Sequence, residues 1–248
     1  MNIICSYNDN LKSFLVEIVQ FVLIKYAKDL DLSNLTEVEL FKKEDFPYSL
    51  DGRTTKGGTK IILTSRLFEL LPCFSIEKLN GNTDFNLILE TLYHEMGHVN
   101  DWLLMPRLYR AVADASDPKD VMAVQFWLEY IAEKRSCLLG LSQKAHIDFC
   151  EVFISWKWPA KQFNYEDASM NNYFYLVKVI PYFLARSIDS MERADYLLRM
   201  RNPILKDFIS DLNKEIKRLE TIGLFDSVEP LRPLSQVINN YRPIFLNS

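Results

Sequence analysis

The sequence predicts an α+β protein that is mostly helical, in which a small hairpin or sheet packs on one long functional helix and the C-terminal half is helical. Two observations support this fold class. Apolar residues recur every three or four positions through most of the chain, whereas short extended runs separated by glycines are confined to residues 38–64. With 248 residues, of which 48% are hydrophobic, the chain can bury a large core.

The N-terminal elements follow from periodicity and punctuation. Residues 11–30 have apolar side chains at helical spacing, which predicts an amphipathic first helix. A short strand is predicted at 38–41. Between 48 and 64, two glycine-containing turns separate two extended pieces, so we expect a hairpin whose second strand is 60–64. A short helix is expected over 65–71.

Longer helices follow. Capping residues at 82–84 and Pro106 bracket a helix predicted over 84–104. A second long helix is predicted over 120–140, where Gly140 provides a C-terminal stop. The remaining helices are expected at about 143–156, 168–189, 191–200, 203–221 and 233–241.

These elements suggest a division of the chain into two regions. Residues 1–140 contain the predicted hairpin and both long helices, and we expect them to form the core that carries the chemistry. Residues 141–248 are predicted to be wholly helical, and we expect them to complete a cleft or to bind a protein partner.

Composition excludes several classes of function. The formal net charge of −4 provides no cationic field for a nucleic acid. The most apolar run, residues 13–24, contains Glu17 and Gln20 and is too short to cross a membrane. An export signal would have a basic start before this run and small residues after it, whereas Asp9 precedes it and Lys25 follows it. The four cysteines form no CxxC pair. We therefore expect a cytoplasmic protein with buried free thiols and with neither a nucleic acid nor a membrane as its partner.

Residues 94–98 read His94-Glu95-Met96-Gly97-His98. On a helix, the i, i+4 spacing places both imidazoles on one face, one turn apart, so that they can bind one metal ion. Glu95 lies about 100° further round the helix, where it need not bind the metal and can take a proton from water. Zinc suits this division of labour, because it activates water without redox chemistry. The pattern predicts a zinc site.

The rest of the 84–104 helix is consistent with such a site. One face is apolar and is predicted to pack on the core, and it comprises Phe85, Ile88, Leu89, Leu92, Met96, Val99 and Leu103. His94, His98 and Asp101 follow a different stripe, so we expect the histidines to face a cleft. The alternative is a pair of helix histidines that share a face and bind no metal.

A catalytic zinc site needs a third protein ligand. Asp101 and Leu104 exclude the extended pattern that requires glycine and histidine at these two positions. The 120–140 helix instead offers Glu129 and Glu133, two carboxylates one turn apart among large apolar residues. Buried carboxylates need a cation or hydrogen-bond donors, which a metal site would provide. The alternative is a solvated charged face.

The sequence HEMGH followed by EYIAE resembles the gluzincin clan of zinc metallopeptidases, and within that clan the minigluzincins and the ImmA/IrrE-like peptidases. The resemblance covers about residues 35–140. It implies a zincin-like sheet packed on the active-site helix, with His94, His98 and Glu129 as the ligands of Zn²⁺ and Glu95 as the catalytic base. It also implies that Glu133 orients a zinc-bound histidine, His94.

The sequence therefore predicts a zinc-dependent endopeptidase that acts on a peptide or protein. We expect the strand at 60–64 to be exposed at the rim of the cleft, where an extended substrate would pair with it. One alternative is a regulatory or interaction protein that retains zinc for structure and has no catalytic activity. A second alternative is a zinc hydrolase that acts on substrates other than peptides.

Other residues give weaker signals. His146 is expected to be partly exposed, although it could also assist at the site as an electrophile. Tyr109, Tyr130 or Tyr165 could stabilise an oxyanion. The stretch 186–201 mixes arginines with acidic residues, and we interpret it as a solvated face.

Overall fold

The computed structural model describes residues 1–45, 51–114, 118–155, 168–187 and 190–246. The chain divides into two compact units. Unit 1 comprises Met1–Leu104 and Arg135–Ala145, and unit 2 comprises Met105–Lys134 and His146–Ser248. Ten α-helices and one four-stranded sheet lie within the described residues. The predicted fold class, α+β and mostly helical, is confirmed.

Unit 1 contains the sheet and three complete helices. The strands are β1 (Asn2–Ile4), β2 (Glu37–Phe41), β3 (Gly52–Thr54) and β4 (Lys60–Thr64), and the helices are α1 (Asp9–Lys25), α2 (Ile76–Leu79) and α3 (Thr83–Leu104). Asn8 caps α1 by accepting a hydrogen bond from the Leu11 backbone N–H. The buried face of α1 includes most of the predicted stripe, with Leu11, Phe14, Leu15, Ile18 and Val22.

The sheet has the order β1-β2-β4-β3. Strand β2 is parallel to β1 and to β4, while β3 and β4 form the predicted antiparallel hairpin. Strand β1 was not predicted, because three residues are too few to show an alternating pattern.

The prediction that Lys60–Thr64 is an exposed strand at a rim is wrong. This segment is β4, which lies between β2 and β3, so both of its backbone edges are paired. Ile61 and Leu63 are fully buried in the core that the sheet shares with α1 and α3. The outer strand next to β4 is β3, and its position against α3 is described below.

Unit 2 is helical throughout its described part. It comprises α4 (Pro106–Ala113), most of α5 (Pro118–Cys137) and of α6 (Gln143–Ser155), and then α7 (Ala168–Arg186), α8 (Ser190–Arg199), α9 (Pro203–Ile222) and α10 (Arg232–Leu246). The helices predicted from residue 120 onwards are confirmed to within a few residues. Helix α4 was missed, because Pro106 was taken as a stop signal and is instead the first residue of a new helix.

Large buried side chains fill the core of unit 2. Fully buried aromatic rings include Phe126, Phe153, Tyr173, Phe183 and Phe208. Arg193 donates to the carbonyl oxygens of Leu184 and Ser187 near the end of α7 and is 7% exposed. The interpretation of 186–201 as a solvated face is therefore wrong at Arg193, whose guanidinium binds helix-terminal carbonyl groups. In the described part of the chain, every helix is too short or too polar to cross a membrane.

The four cysteines are free thiols, and Cys5, Cys137 and Cys150 are buried while Cys73 is half-buried. Burial raises the pKa of the Cys150 thiol to about 12, so the reactive thiolate is scarce there. We expect an alkylating reagent at neutral pH to modify the native protein once, at Cys73, and the denatured protein at all four cysteines. Intact-mass and peptide analysis would measure this, and rapid native modification of Cys150 would contradict the buried packing.

Candidate metal centre

His94 and His98 lie one turn apart in the middle of α3. Their Nε2 atoms are 3.1 Å apart, and the two rings are inclined at 78°. Two nitrogens that bind one tetrahedral zinc ion at 2.0–2.1 Å are separated by about 3.3 Å, so this pair fits a shared ion. The same separation also fits a hydrogen bond between a neutral and a protonated ring nitrogen.

Both imidazoles are more enclosed than the sequence predicts. They are 6% and 7% exposed, and every residue from Leu92 to Asp101 is buried. The apolar stripe packs on the core of unit 1 as expected, and the opposite face of α3 is covered as well. Little of either histidine ring is therefore exposed to solvent.

Strand β3 lies directly against Glu95. The Thr54 hydroxyl donates to Glu95 Oε2 at 2.7 Å and to the backbone carbonyl oxygen of Glu95 at 3.0 Å. At Gly52, an added Cβ would be only 2.9 Å from Glu95 Oε1, so the absence of a side chain lets the strand approach the carboxylate. Glu95 is consequently fixed by the outer strand of the sheet.

One turn beyond His98, Asp101 forms an ion pair with Arg135. The Arg135 Nη2 atom donates to Asp101 Oδ1 at 2.7 Å, and Asp101 is 1% exposed. The guanidinium lies over Gly97, where an added Cβ would be 2.4 Å from Arg135 Nη1. Glycine at position 97 therefore makes room for the cation that neutralises a buried carboxylate on the same helix.

Glu129 and Glu133 lie one turn apart on α5, in unit 2, and both have partners on α7. The Tyr182 hydroxyl donates to Glu129 Oε2 at 2.7 Å, and Arg186 Nε donates to Glu133 Oε1 at 2.6 Å. Glu129 is half-buried and Glu133 is 5% exposed. The donor and the cation that a buried pair of carboxylates requires are thus present within unit 2.

His146 lies on α6 near Glu133. One of its ring nitrogens is within 4.8 Å of a Glu133 carboxylate oxygen. The side chain is 5% exposed, so the expectation that it is partly exposed is wrong. The residues next to His146 in the sequence form no apolar run, so the sequence does not indicate that this turn of α6 is buried.

The structure brings the predicted residues together in two groups. Unit 1 holds His94 and His98 side by side, with Glu95 against β3, and unit 2 holds Glu129 and Glu133 on one face of α5. Sequence reasoning missed the groups that hold them, namely Thr54, Gly52, Arg135, Tyr182 and Arg186. Their positions depend on which elements pack together, and no local pattern signals that.

Two of the three tyrosines that could stabilise an oxyanion, Tyr109 and Tyr130, lie within the described residues. Tyr130 donates its hydroxyl to Glu220 at 2.6 Å, and burial together with this carboxylate raises its pKa. Tyr109 is buried on α4. Tyr165 lies outside the described residues. Tyr130 therefore already has a structural role within unit 2.

Comparison with models of protein families finds none that matches the chain, and neither the curated proteins nor the solved structures include a match. The likeness to gluzincins thus remains a resemblance of motifs. Any proposal about function therefore rests on the residues of the two groups described above.

The contact between Gly97 and Arg135 predicts the effect of one methyl group. We expect Gly97→Ala to destabilise the protein by about 1–3 kcal/mol, because displacing Arg135 from Asp101 outweighs the gain of about 1 kcal/mol that alanine brings to a helix interior. Chemical denaturation would measure the free energy of unfolding.

The matched control is the same substitution in an Arg135→Ala background. There the steric conflict is gone, so Gly97→Ala should stabilise the protein by up to about 1 kcal/mol. If Gly97→Ala stabilises the wild-type background to the same extent, the packing of Arg135 on Gly97 plays no part in stability.

Proposed function

We propose that the protein is a zinc-dependent endopeptidase, with His94, His98 and Glu129 as metal ligands and Glu95 as the general base. The observation that carries this proposal is the buried pair of imidazole nitrogens 3.1 Å apart on α3, next to a carboxylate fixed by the outer strand of the sheet. Zinc bound there would lower the pKa of water towards about 7 and polarise the peptide carbonyl group.

The separation of 3.1 Å between the two Nε2 atoms suits a shared ion, which uses the lone pairs of both nitrogens, and it also suits a hydrogen bond in which one ring donates. The HExxH motif is the reason for proposing the ion. Placing two nitrogens at this separation on a rigid, buried helix is what a preorganised ligand pair requires.

Glu95 has the properties of a general base. Its carboxylate accepts a hydrogen bond from the Thr54 hydroxyl at Oε2, which fixes the position of that oxygen. An ionised carboxylate has about four lone-pair positions, so it can still accept a proton from water. The hydrogen bond from Thr54 also limits rotation of the Glu95 side chain, so its carboxylate has a fixed position relative to His94 and His98 on the same helix.

Glu129 is proposed as the third ligand on the motif and on the chemistry of the donor set. His94, His98 and Glu129 each offer one ligand atom, and three protein ligands leave one position open for a substrate or water. Glu133 is proposed to orient His94, since a carboxylate bound by Arg186 can accept a further donor.

A peptide substrate agrees with the position of β3. Strand β4 lies inside the sheet and β3 lies at its edge. We therefore propose that an extended substrate pairs with β3 and not with Lys60–Thr64. Its residue Thr54 contacts Glu95, so an extended peptide added to this strand would run next to the base. We further propose the cytoplasm as the compartment, because the four free thiols suit a reducing environment.

A second candidate function is a regulatory or interaction protein with a structural zinc site. The burial of both histidines favours it, since structural sites are closed to solvent. In that case the helices of residues 141–248 would bind the protein partner, and Glu95 would be dispensable. The two candidates agree on the ligands and differ on the role of Glu95.

Metal content tests the ligand set. We expect about one zinc ion per chain by elemental analysis, because two histidines and one carboxylate complete an open three-ligand site. Replacing both histidines by alanine, or Glu129→Ala, should remove the metal. Glu133→Ala should weaken zinc affinity about 10- to 100-fold, as expected for a residue that orients a ligand. Undiminished zinc in the double histidine variant would refute the site.

The role of Glu95 separates the two candidate functions. We expect Glu95→Gln to retain zinc and the folded state but to abolish peptide hydrolysis, because an amide cannot accept the proton from water. The measurement is cleavage of a peptide library by mass spectrometry.

Glu90→Gln is the matched control for this substitution. Glu90 is also buried on α3, but its carboxylate accepts the backbone N–H groups of Leu141 and Ser142, and a glutamine oxygen can accept them as well. This variant should cleave at the wild-type rate. If Glu95→Gln cleaves as fast as the wild type, Glu95 has no catalytic role.

A further inference from the structure

We propose that Tyr182 is a positioning residue for the metal centre, whose hydroxyl holds the Glu129 carboxylate in the orientation in which Glu129 would bind the metal ion. This inference rests on the proposed function, because it takes Glu129 as the third ligand. It adds a residue to which neither the motif nor the resemblance assigns a role. Both residues belong to unit 2, where their contact is formed.

The first support is the pairing of α5 with α7. Tyr182 donates to Glu129 Oε2 at 2.7 Å, and Arg186 donates to Glu133 Oε1 at 2.6 Å. Glu129 and Glu133 are one helical turn apart on α5, and Tyr182 and Arg186 are one helical turn apart on α7. Two polar contacts at matching helical spacing fix the register of the two helices, and so fix the position of Glu129 relative to α7.

The second support is the way in which Arg186 holds the Tyr182 ring. The guanidinium carbon of Arg186 is 5.6 Å from the centroid of the Tyr182 ring and 4.5 Å from that of Phe149. A cation over an aromatic face is attracted by the electron-rich ring, and this attraction restricts the ring's orientation. The Tyr182 hydroxyl therefore approaches Glu129 from a fixed direction.

The third support is the chemistry of a carboxylate ligand. A glutamate has two equivalent oxygens and several rotatable bonds, so it can bind a metal through one oxygen or through both. A phenol that donates to Oε2 makes the two oxygens inequivalent and would limit the ways in which the carboxylate could bind the ion. It does so without a charge, so the carboxylate keeps the negative charge that attracts the ion. Hydrogen bonds to ligating carboxylates commonly change metal affinity 10- to 100-fold.

The test is Tyr182→Phe, which retains the ring over Arg186 and removes only the hydroxyl. We expect zinc affinity, measured by competition with a chromophoric chelator, to fall about 10- to 100-fold. In a Glu129→Gln background, adding Tyr182→Phe should cause no further loss. Cobalt in place of zinc gives a spectroscopic readout. If Glu129 gains a second contact to the metal, coordination rises and the visible absorption of Co²⁺ weakens in Tyr182→Phe.

Tyr173→Phe is the matched control. Tyr173 lies on the same helix and is buried, and its hydroxyl donates to the carbonyl oxygen of Ile238, away from Glu129. Its loss should lower the stability of the apoprotein at least as much as Tyr182→Phe does, with zinc affinity and the cobalt spectrum unchanged. A purely structural role for Tyr182 would give the same pattern.

The outcomes separate this inference from the proposed function. If the wild type binds zinc through His94 and His98, and Tyr182→Phe binds it within twofold of the wild-type affinity with the same cobalt spectrum, the inference fails while the proposed function stands. If the wild type binds no zinc, or if Glu129→Gln binds it as tightly as the wild type, the ligand assignment fails and the inference fails with it.

Discussion

The burial of the middle of α3 is the constraint on which the rest of unit 1 depends. Between Leu92 and Asp101 the helix has no exposed face, yet this stretch carries two imidazoles, two carboxylates and one amide. Polar groups taken out of water must find partners, or they cost several kcal/mol each. The neighbouring elements supply several of these partners: β3 contacts Glu95 through Thr54, Arg135 pairs with Asp101 through one oxygen, and the Asp31 backbone N–H donates to Asn100.

Two glycines make these close contacts possible. At Gly52 the strand backbone meets the carboxylate of Glu95, and at Gly97 the helix backbone meets the guanidinium of Arg135. A Cβ at either position would lie within 3 Å of the charged side chain and would force that side chain to shift. The middle glycine of the HExGH pattern therefore has a structural explanation in this chain, independent of any metal chemistry. The sequence shows the glycine, but only the packing of α5 shows what fills the space above it.

Local patterns predicted most of the fold, and the misses have physical causes. Helix α3 and the long C-terminal helices were predicted because caps and 3.6-residue periodicity are encoded within each segment. The place of β4 was missed, since alternation reports which side chains are buried and carries no information about which strands lie on either side. In the candidate site, the spacing of His94 with His98 and of Glu129 with Glu133 was readable from the sequence. The contacts of Tyr182 and Arg186 were not, because these residues lie about 50 positions away on another helix.

The groups that hold the two sets of candidate ligands suggest how metal binding is related to folding. Each set lies on a long helix and is ordered by contacts within its own unit, the histidines by the buried face of α3 and the carboxylates by α7. The charge of Glu133 is balanced by Arg186, so the burial of this carboxylate does not depend on an ion. Such a site differs from a zinc finger, in which the ligands come together only when the metal binds. Metal binding would then add stability through mass action, by an amount set by its concentration relative to the dissociation constant, to a chain that is already folded. If an ion binds there, its binding energy would not be needed to assemble the ligands, and it could instead hold the open coordination that the proposed catalytic role requires.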